Sequence, residues 1–159
     1  MKKQIVCHDM DGNLYKVDST KLTFRPSVYG ILIERNKVLL FNQKNGYDFP
    51  GGGFDITETI DQALTREFFE ETGLKIKGLQ LLSVHSSFYY SRHLQRGYNA
   101  VLIYYLCRRI SGKLSNSHMD GHEKDYAIGP EWVDLKNIKK IKFQNPVDSV
   151  KLIQKAFKK

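Results

Sequence analysis
Apolar residues along this chain fall into short runs rich in Val, Ile, Leu, Phe and Tyr, each bounded by turn-forming residues, and only two stretches carry a helical rhythm instead. Runs of that kind read as β-strands. "KQIVCHDMDGNLYKV" gives two short strands around Asp11-Gly12, a pair suited to a tight hairpin turn. "SVYGILIE" and "KVLLFNQ" give a second pair turning at Arg35-Asn36. The glycine-rich "FPGGGFDIT" reads as a loop. Longer apolar stretches at 79–90 and 98–107 predict two more strands, and "YAIGPEWVDL" another, after the polar loop "SGKLSNSHMDGHEKD".

The first helical stretch is residues 60–72. Thr59 is placed to cap it, Gln62 three residues on completes a capping box, and Gly73 supplies the stop. A closing helix is expected with Asn145 as its cap and Pro146 at its first position, Val147, Val150, Ile153 and Phe157 forming its apolar face. A mixed sheet with at least two helices is an α+β chain or an α/β sandwich.

Composition narrows the class. The 159 residues suit one domain spanning 1–159, and 41% hydrophobic with 26% charged residues places it among soluble globular proteins. No apolar run approaches the roughly 18 residues that span a bilayer, and "MKKQIVCHDMDGN" lacks the apolar core of a signal peptide, so no membrane partner is expected. Cys7 and Cys107 lie far apart with no CxxC pair, which points to free thiols in a reducing, cytoplasmic setting. A net charge of +8 favours anionic partners, although many lysines fall in "LKNIKKIKF" and "KLIQKAFKK", where a solvated helix face explains them equally well.

The chemistry is concentrated in "REFFEETGL". At 100° per residue with Ile60 at zero, Leu64 and Phe68 fall at roughly 40° and 80° and Ala63 at roughly 300°, the arc that must be buried. Glu67, Glu71 and Glu70 fall at roughly 340°, 20° and 280°, on the same side. Like charges about 6 Å apart repel by roughly 3 kcal/mol at an effective dielectric of 20. Arg66 can relieve one carboxylate but not three. A cation is needed, and hard oxygen ligands select Mg²⁺, Mn²⁺ or Ca²⁺.

The stretch Gly52 to Leu74 resembles the Nudix box: Gly, five residues, Glu, seven residues, then Arg-Glu-hydrophobic-any-Glu-Glu-any-Gly-hydrophobic. Gly52, Glu58, Arg66, Glu67, Glu70, Glu71 and Gly73 hold the fixed positions, with Phe68 and Leu74 in the hydrophobic slots. At about 5% per residue, seven identities in register arise by chance on the order of once in a billion starting positions. The resemblance implies a Nudix-like α/β/α sandwich with a mixed sheet, and Mg²⁺-dependent hydrolysis (Mn²⁺ as the alternative) of a nucleoside diphosphate linked to another group X. It implies metal binding by Glu70 and Glu71, Glu67 as a further ligand or base, and Arg66 orienting a carboxylate. It also implies a backbone carbonyl from Gly51 for the metal, and a structural ion pair at Glu58. Glu123 is the candidate for an extra ligand or general base from a later loop, with Asp120 and Asp125 as competitors.

Other motifs compete less well. "IVCHDMDGNLY" resembles a phosphatase nucleophile loop with Asp9 as nucleophile and Asp11 as acid, but the hairpin reading is stronger. His85 reads as a strand histidine, and Phe88, Tyr89, Tyr90 and Tyr98 as core or sheet-face aromatics, one or two of which can stack a base. Arg92, His93 and Arg96 sit in an expected strand-connecting loop within reach of a phosphate. The expected substrate is a free nucleoside triphosphate, oxidised or not, cleaved to monophosphate and pyrophosphate, because no added recognition module is legible. The alternatives are sugar nucleotides, dinucleotide polyphosphates, RNA 5′ ends (permitted by charge but not favoured), and a sensor that binds nucleotide without cutting it. A monomer and a homodimer are both compatible with the sequence.

Overall fold
The computed structural model describes residues 3–119 and 127–159. Its strands are β1 (Gln4–His8), β2 (Leu14–Asp18), β3 (Thr23–Glu34), β4 (Lys37–Gln43), β5 (Gly46–Asp48), β6 (Gly51–Gly53), β7 (Leu74–Ser91), β8 (Arg96–Gly112) and β9 (Ala127–Asp134). Its helices are α1 (Ile60–Thr72) and α2 (Ser149–Phe157), with 3₁₀ turns at Ser19–Lys21 and Leu135–Lys140. The strands run β2-β1-β7-β8-β3-β4-β5, with β6 on β3 and β9 on β4. β3 and β8 pair in parallel over ten residues, Thr23 with Tyr98 through Leu32 with Cys107, while β7 and β8 form a long antiparallel pair.

Alternation along β3 sets up two cores. Ile31 joins Leu40, Leu102, Tyr104 and α2's Leu152, Ile153 and Ala156. Val28 and Leu32 join Leu39 and α1's Ala63, Leu64 and Phe68. Successive strand residues face opposite sides of a sheet, so the helices cover opposite faces. The expected α/β/α sandwich with a mixed sheet is what the chain forms.

Local signals hold where the partner is nearby. Arg35 and Asn36 take φ of 49° and 60°, the two positive angles of a type I′ turn between β3 and β4. Thr59 caps α1 through a complete capping box, and Gly73 ends it in the left-handed conformation at φ 72°. Four expectations change. The β1–β2 connection takes five residues, Asp9–Asn13, because the Asp9 carboxylate organises it by accepting from the N–H groups of Asp11 and Asn13, both at 2.9 Å. The triple glycine is the strand β6, paired with Ser27, Val28 and Tyr29. β7 and β8 run well past 79–90 and 98–107, since each extends the other's ladder. The closing helix starts at Ser149 with Asp148 as its cap, accepting from Lys151 N–H at 3.0 Å. Asn145 does not cap it: its amide donates to Asp48 at 2.8 Å. Phe157 is exposed, and Leu152 and Ala156 take the buried positions.

α1 lies unusually close to β3. A Cβ added at Gly30 would sit 2.7 Å from the Phe68 ring. Gly30→Ala is therefore expected to lower stability by about 1–3 kcal/mol, the range for overpacking a core. An unchanged urea midpoint would show that α1 has slack against the sheet.

Candidate active site
Three segments converge at the β3 edge: the β6 glycines, the loop 55–58 and the inner face of α1. Glu71 is buried among the core residues of α1, at 7% exposure, and accepts from the Gly51 N–H at 2.9 Å. Gly51 has φ +148°, and a Cβ there would lie 2.2 Å from the Val28 carbonyl oxygen, so only glycine fits. A Cβ at Gly52 would meet Glu67 Oε2 at 2.7 Å. The bare backbone of β6 is what lets two carboxylates of α1 press against it.

Arg66 organises the rest. Its Nε and Nη2 donate to both oxygens of Glu58, at 2.6 and 2.8 Å. Its Nη1 donates to Glu67 Oε1 at 2.9 Å and to Glu70 Oε2 at 3.2 Å. Glu58 Oε2 also accepts from Asp55 N–H at 3.0 Å, tying the loop to the helix. The Arg66 guanidinium beside Glu58 pulls that carboxyl down to about 2. Glu67, 12% exposed, goes the other way: burial raises it, and Arg66 opposes the rise. Glu70 sits at the rim, with its side chain 39% exposed. So the inward charge expected from the helical wheel holds for Glu67 and Glu71, while Glu70 marks the border with solvent.

The donor set fits a hard divalent cation, since three carboxylates of one helix and a glycine backbone present only oxygen ligands. Among the described residues no three acids, histidines or cysteines stand ready-gathered around one point. Glu67 and Glu70 lean on Arg66, and Glu71 on Gly51, contacts that a cation would share or displace. Glu123, Asp120 and Asp125 lie outside the described residues.

The floor of the site has no motif in the sequence. Thr23, Arg25, Ser27 and Tyr29 share a face of β3, a polar phase that gives way to Ile31 and Ile33. That alternation was the available signal. The Arg25 guanidinium lies over the Tyr98 ring, 5.7 Å from its centroid, and 3.1 Å from where a Gly53 Cβ would stand. Tyr29 stacks on Tyr104 at 5.3 Å. Asp48 closes this floor: Oδ1 accepts from Phe49 N–H at 2.7 Å and from Asn145 Nδ2 at 2.8 Å.

Other sequence candidates fall elsewhere. Asp9, 8% exposed, also accepts from Asn13 Nδ2 at 3.0 Å and Tyr15 Oη at 3.2 Å, with Arg92 Nε at 3.2 Å. The Asn13 side chain leads in pulling its carboxyl down to about 2. A carboxylate so fully engaged is a turn organiser, as the hairpin reading expects. Arg92 and His93 lie in the β7–β8 turn and Arg96 opens β8; Arg92 pairs with Asp11 as well. His85 is partly buried on β7, Tyr98 is buried, and Phe88 is exposed rather than core.

The family model for the NUDIX domain matches residues 23–154. The chain belongs to the Nudix family. It is 34% identical to an ADP-ribose pyrophosphatase of Methanocaldococcus jannaschii over 124 residues, 75% of this chain and 67% of that protein. It is 40% identical to an RNA pyrophosphohydrolase of Tolumonas auensis over 63 residues, 38% of this chain and 36% of that protein. That match spans only about a third of either partner. Among solved structures, a Nudix hydrolase from Nitrosomonas europaea superposes with a TM-score of 0.65 at 16% identity, covering 86% of this chain and 89% of that one. The enzyme class expected from the sequence, a Nudix pyrophosphohydrolase, is the class this family and its named relatives define. No helix of the described residues is long and apolar enough to cross a membrane.

Asp48 makes a pH prediction. Burial pushes its carboxyl up to about 7, against the pull of its two hydrogen bonds. The folded protein therefore keeps a proton that the unfolded chain releases near pH 4, the ordinary Asp value. Its contribution is present in full below about pH 4 and is lost as pH rises toward about 7. Asp48→Asn keeps an acceptor for Phe49 N–H and Asn145 while removing the charge. Denaturation midpoints at pH 5 and pH 8 should converge in the variant; a parent-like gap would assign the effect to another group.

Proposed function
We propose that this protein hydrolyses the diphosphate linkage of a nucleoside diphosphate joined to a group X, using Mg²⁺ or Mn²⁺, with water as nucleophile. The observation that carries the reading is the placement of Glu67 and Glu71 on the packing face of α1, against a strand of bare glycine backbone. A purely structural helix would carry apolar side chains there, and a sensor that only bound nucleotide would not need the set. When bound, the divalent ion cancels phosphate charge and acidifies the attacking water.

The residues divide the remaining work. Glu70 and Glu71 supply metal ligands, joined by the Gly51 carbonyl. Arg66 holds the Glu67 carboxylate by one oxygen, leaving Oε2, the atom facing Gly52, to serve as a metal ligand or to accept a proton from water. Glu58 steadies Arg66 and is structural. Arg25, beside Gly53, is placed to meet a phosphate oxygen. Glu123 completes the catalytic set as an added ligand or base. No activated Ser, Cys or His nucleophile is needed.

A free nucleoside triphosphate, oxidised or not, is the substrate expected from sequence. The relatives' names add ADP-ribose and RNA 5′ ends as compounds for the same panel. Glu71→Gln retains an acceptor for Gly51 N–H and should fold normally. It is expected to lose about 100-fold or more in kcat, roughly 2.7 kcal/mol. Near-parent turnover at low Mg²⁺ would remove Glu71 from the machinery. Single-turnover hydrolysis in heavy-oxygen water should label a phosphate product with no covalent intermediate, and orthophosphate as the first product would count against the reaction.

A further inference from the structure
The N-terminal hairpin β1–β2 precedes the region matched by the family model, which begins at residue 23. It extends the sheet beside β7, with His8 paired in parallel to Tyr89. Its connecting loop forms one wall of a cleft of about 550 Å³. The β7–β8 turn with Arg92 and His93 forms the second wall, and Asn45 with Lys142–Gln144 the third.

This cleft is joined to the carboxylate site by a row of side chains. Tyr89 lines it, and the Tyr89 ring stacks toward Tyr98 at 6.4 Å. Tyr98 in turn lies under Arg25, which borders Gly53 beside the α1 carboxylates. β8 lies between β7 and β3, so two strand spacings, roughly 10 Å, separate Tyr89 from the strand of Arg25. A diphosphate held between α1 and Arg25 would lie about two strand spacings from the cleft, a distance that a substituent on the diphosphate spans.

The lining says what that substituent is. Asp9 and Asp11 balance Arg92 and Lys142. Arg92 is already bound by both aspartates. A groove for RNA would need net positive charge, since every further nucleotide brings a phosphate, and the same holds for the terminal phosphates of a free triphosphate. Here a balanced set of charges is interspersed with the amides of Asn45 and Gln144 and the rings of Tyr89 and Phe143. Such a surface suits an uncharged, hydroxyl-bearing ring.

We infer that the cleft walled by the β1–β2 hairpin is the subsite for group X, and that X is a sugar or nucleoside without further phosphates. This rests on the proposed diphosphate hydrolysis at α1 and narrows it. The hairpin is the recognition element whose apparent absence made a free triphosphate the expected substrate.

The test compares ADP-ribose, UDP-glucose, ATP and a short 5′-triphosphorylated RNA on the parent and on Asn45→Trp, which projects a large ring into the cleft from an exposed turn. His93→Ala serves as a milder second change. The parent should show the highest kcat/KM on a nucleoside diphosphate sugar. In Asn45→Trp the ratio of its KM to that of ATP should rise about tenfold, with a smaller rise in His93→Ala. Calorimetric binding of the same sugar nucleotide in the presence of a chelator should weaken in parallel. A ratio within twofold of the parent in both variants overturns the subsite, as does a parent that prefers ATP or the RNA over both sugar nucleotides. A parent that hydrolyses none of the four would refute the diphosphate chemistry instead, and chelator-stable binding of the sugar nucleotide that Asn45→Trp abolishes would still uphold the cleft.

Discussion
The organisation of this protein depends on placing carboxylates on a helix face that also builds the core. Glu71 and Glu67 sit among Ala63, Leu64 and Phe68, where taking a charge out of water is costly unless it is paired or hydrogen-bonded. Two devices meet that cost. The backbone of β6 comes close enough to donate to Glu71, and one guanidinium is shared by Glu58, Glu67 and Glu70. The glycines are therefore as much part of the acidic site as the acids are. Any side chain at Gly51 would strike the β3 backbone before reaching the helix.

The sheet gives this arrangement its rigidity. α1 is pinned against β3 at Gly30, and β3 is held along its length by β8. Arg25 and Tyr29 on the same strand then form the floor beside the acids. A single strand thus fixes the distance between the helix on one side and the aromatic row leading to Tyr89 on the other.

What could be read from sequence follows from how far each interaction reaches. The caps of α1, the turn at Arg35-Asn36 and the inward phase of Glu67 and Glu71 are set within a few residues, and all three were legible. The resemblance implied an ion pair at Glu58 without its partner, which is Arg66, eight residues on. The start of α2 was misplaced because Asn145, a good local cap, is recruited by Asp48, 97 residues earlier. The glycine stretch looked like a loop because pairing with β3 is invisible to local pattern. Arg25 was missed for the same reason: its importance comes from Gly53 and Tyr98, which only the fold brings to it.

The parallel pairing of β3 with β8 has a consequence for how the chain reaches this state. Thr23 must find Tyr98, about 75 residues further on, before that ladder can close. Pairings of that separation carry a large loop-closure entropy and slow folding relative to local ones. The β7–β8 hairpin, joined by a short turn, can form independently and offer β8 as a template. α1 lies within the loop that the pairing closes. The contact between Glu71 and the Gly51 backbone spans only 20 residues, so the acidic cluster can gather on its glycines locally, before the long ladder that fixes β3 is closed.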